Sequence, residues 1–143
     1  MDCTGIHFQQ MLRSGMRVVP VGGDDNHRMD DAGQAWTMIK AEKLSYEALM
    51  EAFEKGNCYA SEGPEIQSLI LEDGKIKVKT SAAVDIVLRA EGRYADLARS
   101  RKGDLTYAEF DYMPEKIGAF FRIEVRDAAG NRAYSNAYYT DSL

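Results

Sequence analysis

Asp25 and His27 are the two residues of this chain whose types and spacing could bind a metal. They stand two apart in the run Gly23-Asp24-Asp25-Asn26-His27. A carboxylate oxygen and a neutral imidazole at that separation can reach one divalent cation or two adjacent ones. His27 is one of only two histidines. Its neighbours Asp24, Asn26 and Arg28 are candidates for contacting a substrate or steadying the two ligands. A plainer reading of the same residues is a solvated turn, whose Asp and Asn side chains hydrogen-bond the local backbone. His7, in the leading helical stretch, is less suited to ligation, because a lone histidine there more often has a packing or surface role. No Ser–His–Asp arrangement, phosphate-cradling glycine loop or dinucleotide fingerprint accompanies the pair.

The elements around the pair set where it would sit. Residues 18–21, Val-Val-Pro-Val, form a short apolar run that stops at Gly22-Gly23. Such a run reads as a buried, parallel strand covered on both faces, although Pro20 cannot donate to a ladder. A strand releasing ligands past its C-terminal end is where barrel enzymes place their chemistry. Before it, Ile6, Phe8, Met11 and Leu12 give a weak helical pattern ended by Gly15. After it, residues 24–34 read as a loop and residues 35–41 as a second strand. The next helix is the clearest in the chain. Ser45 is its N-cap, and Leu44 and Leu49 stand in hydrophobic-staple positions. Tyr46, Leu49, Met50 and Phe53 form an apolar stripe, Glu51 and Lys55 an i,i+4 pair, and Gly56 the stop.

Beyond Pro64 the period changes from helical to two. Ile76 and Val78 alternate with lysines, Ile86 and Leu88 with Asp85 and Arg89, Phe121, Ile123 and Val125 with Arg122 and Glu124. Asp73-Gly74 is a two-residue hairpin signal. Residues 93–105 read as a loop with a short edge strand, and residues 132–140 as a last, Tyr-rich strand. Short strands with turns about every ten residues describe an antiparallel sandwich. The chain therefore divides into an α/β segment, residues 1–63, and a β-sandwich, residues 64–143. Two parallel strands cannot cover their own edges. The first segment is thus expected to need neighbours, and to self-associate where it lacks them.

Composition excludes several classes. The chain has 45% hydrophobic and 29% charged residues and a formal net charge of −5, which suits a globular domain. Nothing resembles the basic face a nucleic acid requires. No apolar run approaches the roughly 18 residues of a membrane span. The first residues do not read as a signal peptide. Cys3 and Cys58 have no C-x-x-C partner and read as free thiols of a cytoplasmic protein.

The run 23–27, the stretch Ala35-Trp36-Thr37-Met38-Ile39-Lys40-Ala41, the helix ending at Gly56, and Asn57-Cys58-Tyr59-Ala60-Ser61-Glu62-Gly63-Pro64-Glu65 together resemble the C-terminal part of the polymerase-and-histidinol-phosphatase (PHP) family of metallohydrolases. The resemblance is to members that carry a β-sandwich after the barrel, and it continues to Ala133-Tyr134-Ser135-Asn136-Ala137. It implies an α+β architecture: the terminal strands and helices of a PHP-type (β/α) barrel followed by an antiparallel Ig-like sandwich. It also implies zinc, manganese or iron at the strand ends, with Asp25 and His27 as metal ligands. Such metals lower the pKa of a bound water and polarise a phosphoryl or carbonyl oxygen.

The other ligands of that family lie upstream of any residue here. The resemblance therefore describes the C-terminal portion of a metal-dependent, phosphoesterase-like hydrolase, not competent alone, whose substrate in the intact enzyme is a small-molecule ester or phosphoester. The competing reading is a non-enzymatic β-sandwich module for binding or assembly.

Overall fold

The computed structural model describes residues 4–143; Cys3 lies outside them. Helix α1 (Thr4–Arg13) comes first, then strand β1 (Trp36–Ile39), helix α2 (Tyr46–Glu54) and strand β2 (Cys58–Ser61). Strands β3 (Ile66–Glu72), β4 (Lys75–Ala83), β5 (Asp85–Ala90), β6 (Ala95–Arg99) and β7 (Leu105–Asp111) follow. A single helical turn, α3 (Pro114–Ile117), precedes β8 (Phe120–Arg126), β9 (Arg132–Ser135) and β10 (Tyr138–Tyr139). Among the described residues no helix is long and apolar enough to cross a membrane.

The strands form two antiparallel sheets. The larger runs β1-β2-β9-β8-β5-β6, with β10 also on β8; the smaller runs β3-β4-β7. Their facing sides enclose the core: Ile76 and Val78 from β4, Ala108 and Phe110 from β7, Ile86 and Leu88 from β5, Phe121, Ile123 and Val125 from β8. Each fully buried aliphatic or aromatic side chain of this kind contributes about 1.5–3 kcal/mol over its exposed state. The hairpin turn at Asp73-Gly74 has positive φ at both residues, 52° and 71°, the twist that suits two-residue antiparallel turns.

The expected barrel strands are not formed. β1 pairs with β2 antiparallel, from Trp36↔Ser61 to Ile39↔Cys58. β2 in turn pairs antiparallel with β9, through Tyr59↔Ser135 and Ala60↔Tyr134. β1 and β2 thus extend the larger sheet rather than starting a parallel one, and among the described residues no (β/α) barrel closes. The run 18–21 joins no ladder. Pro20 lacks a donor, and the contact with β1 instead passes through one side chain, the Thr37 hydroxyl, which accepts from Gly22 N at 2.9 Å and donates to Gly22 O at 3.2 Å.

α2 begins at Ser45, whose hydroxyl accepts from Ala48 N at 3.3 Å, and Lys55 meets Glu51 at 2.5 Å. The staple does not close, because Leu44 is 93% exposed. Tyr46 is exposed too, and the helix buries Ala52. α1 lies on the outer face of the larger sheet. Phe8 and Leu12 pack on Phe120 and Ala137, which buries both faces of β8. That is why Arg122, on the polar side of an alternating strand, is only 2% exposed.

On β5, Asp85 is buried between Arg99 of β6 (2.6 Å) and Arg126 of β8. The Arg99 hydrogen bond, foremost, and the Arg126 one hold its carboxyl below the usual range against the opposing effect of burial. Cys58, free and buried, has its thiol pushed up by desolvation, so it carries little thiolate character.

Candidate functional site

The loop from Gly22 to Ala35 is built around one carboxylate. Asp24 Oδ1 accepts from Gln34 N and Ala35 N, each at 2.6 Å, and its Oδ2 accepts from Gly33 N at 2.7 Å. These backbone donors, Ala35 first and Gly33 next, hold the Asp24 carboxyl below the ordinary Asp value. Gly33 adopts a left-handed φ of 83°, the conformation glycine takes without steric cost. Asp24 therefore fastens the two ends of the loop together. Its oxygens are spent on the backbone, as the turn reading of these residues describes.

Asp25 itself has a positive φ of 49°, uncommon for a residue other than glycine and a local strain that such a loop must hold in place. The turn brings the Asp25 carbonyl to 2.6 Å from His27 Nδ1. A carbonyl can only accept, so Nδ1 carries the proton, and Nε2 is the ring's lone-pair nitrogen in the neutral form. An imidazole fixed through one nitrogen by a carbonyl is the arrangement that orients a metal ligand. Asp25, Asn26, His27 and Arg28 are all exposed.

Two residues that spacing does not single out complete the loop. Asp31 Oδ2 accepts from His27 N at 3.2 Å and Arg28 N at 2.9 Å, closing the short helical turn Met29–Asp31. Thr37 anchors Gly22 to β1. The signal for Asp31 lies in its position, three residues after Arg28, where a short side chain can return to backbone donors.

The donor set has the right chemistry and falls short in number. A metal centre takes about three protein ligands or more, and among the described residues no group of three or more His, Cys, Asp and Glu side chains converges. His7, exposed on α1, lines a separate cavity of about 340 Å³ with Phe8, Met11 and residues 18–21, and joins no such group. β1 is the outer strand of its sheet, with Trp36 and Met38 exposed at 36% and 42%.

Comparison with known proteins gives no match to a family model, to a curated protein or to a solved structure.

Proposed function

We propose that the 23–28 loop is one part of a divalent-metal centre, and that the chain is the C-terminal portion of a metal-dependent hydrolase of the PHP kind. The observation that carries this reading is the His27 Nδ1 contact with the Asp25 carbonyl, which leaves Nε2 as the free ring nitrogen of an exposed residue on a loop that Asp24 and Asp31 keep in shape. Asp25 and His27 would hold zinc, manganese or iron jointly with ligands from outside the described residues. With the metal bound, such a centre polarises the phosphoryl or carbonyl oxygen of a small-molecule ester. Two donors make a weak site, so the chain alone is inactive.

Zinc titration followed by the ring resonances of the two histidines tests this. The expected result is weak, saturable movement of His27 and not of His7, weakened in Asp25→Ala, with no turnover of a generic phosphodiester. Unmoved His27 resonances would remove the metal reading. Micromolar binding with turnover would show that the centre is complete within the chain.

A second reading, a non-enzymatic assembly module, is favoured by β1. β1 is the outer strand of its sheet and carries the exposed Trp36 and Met38, and an outer strand is a template for strand addition. On this reading two copies pair through residues 1–63, and Met38→Lys shifts the population towards monomer in sedimentation. A clean monomer of the unsubstituted chain at high concentration counts against it.

A further inference from the structure

A cavity of about 650 Å³ lies between α1, the β5–β6 hairpin and strands β8 and β9. Arg13, Arg89, Arg93, Arg122 and Arg132 line it, and Glu124 is the single carboxylate among its lining residues. This concentration of guanidiniums is unexpected in a chain of net charge −5. The lone carboxylate is already shared. Arg122 Nη2 meets Glu124 at 2.7 Å and Arg89 Nε meets it at 3.1 Å. Arg13 is held to the hairpin by the carbonyls of Glu91 and Gly92, each at 2.6 Å.

Arg122 is the most deeply buried of these guanidiniums. It is 2% exposed and always charged. Its Nε donates to Gln9 Oε1 at 2.7 Å, its Nη2 reaches Glu124, and its guanidinium stands over the Phe8 ring at 5.4 Å, so the charge is fixed in place at the cavity wall. Arg93, on the exposed hairpin turn, brings a further cation to the same wall.

We propose that this cavity is a binding site for a small anion of two or more negative charges, of the phosphate or polycarboxylate class. A guanidinium fork matches the paired oxygens of either group. Arg13 is held by neutral carbonyls and Glu124 is shared between two guanidiniums, so a single added negative charge would not balance the cations of this lining. Walls from a helix, a hairpin and two strands suit a compact molecule rather than an extended polymer. The site uses none of the loop residues 23–28.

Isothermal titration of the full chain at low ionic strength, with inorganic phosphate, citrate and acetate in turn, tests the assignment. Saturable one-to-one binding of phosphate or citrate is expected, with acetate weaker by about tenfold or more, the factor that one lost charge-assisted contact produces. Phosphate binding alone assigns the phosphate class, and citrate binding alone the carboxylate class. Arg93→Gln, on an exposed turn that leaves the core intact, should weaken the better ligand by about tenfold. Lys102→Gln, which removes a charge from a different exposed loop, should not. No saturable binding of either multivalent anion overturns the proposal, and so does equal weakening by the two substitutions.

Discussion

Gln9 and Arg122 stand 113 positions apart and share a buried hydrogen bond, Arg122 Nε donating to Gln9 Oε1 at 2.7 Å. The other end of the same amide donates to the Ala90 carbonyl at 2.9 Å. One side chain of α1 thus satisfies two groups of the sheet below it. Gln9→Ala removes both partners and leaves a buried guanidinium nitrogen and a buried carbonyl unpaired, a loss of about 1–3 kcal/mol. Urea denaturation measures it. The exposed neighbour Gln10 serves as the control, since Gln10→Ala should change stability by less than about 0.5 kcal/mol. Equal effects would mean that α1 is not pinned through Gln9.

Asp24 predicts an acid-sensitive loop. Its carboxyl is held below the ordinary value of 3.8 by donors from Ala35, Gly33 and Gln34. A depressed folded-state pKa contributes stability that is fully present above the unfolded value and is lost as pH falls through the folded one. The loop should therefore stay closed down to about pH 4 and open below it. The backbone amide resonances of Gly33, Gln34 and Ala35 report this directly. They should titrate together with a midpoint below 3.8, and in Asp24→Asn that step should vanish. A shared midpoint at or above 3.8 would show that the carboxylate does not take these three donors.

Some of this was legible in the residues and some was not, for physical reasons. Ser45 capped α2 and Asp73-Gly74 turned β3 into β4, because a cap and a tight turn depend on adjacent residues. Whether β1 and β2 pair parallel or antiparallel depends on what lies beside them, and period carries no such information. The apolar run 18–21 suggested a covered strand, yet it joins no ladder, and the Thr37 hydroxyl of β1 bonds Gly22 just past its end. Alternation put Arg122 outside, and the sheet face it occupies is covered by a helix more than a hundred residues away. The residue types at the loop pointed to Asp25 and His27, but not to the clasp between Asp24 and Ala35. The cavity arginines, at positions 13, 89, 93, 122 and 132, share no spacing at all. Only the folding of α1 over β5 and β8 gathers them.

Gly22 sets the distance between the loop and β1. A Cβ placed there would lie 2.3 Å from the Trp36 carbonyl oxygen and 2.7 Å from the Trp36 carbonyl carbon. Both are backbone atoms, so no rotamer change relieves the overlap. Gly22→Ala must push residues 20–24 away from the sheet and break the two bonds with the Thr37 hydroxyl. Overpacking of this kind costs about 1–3 kcal/mol. Gly23, one residue on, is the matched control, for a Cβ there meets nothing within 4 Å. Gly23→Ala should therefore leave the denaturation midpoint within about 0.5 kcal/mol of the parent. The pair separates contact from backbone freedom, because both substitutions remove a glycine from the same segment and only one creates a clash. Since Asp25 and His27 hang from this segment, Gly22→Ala should also weaken the zinc-induced movement of the His27 resonances, while Gly23→Ala preserves it. Equal loss from both would place the constraint in glycine's flexibility and not in the approach of Gly22 to Trp36.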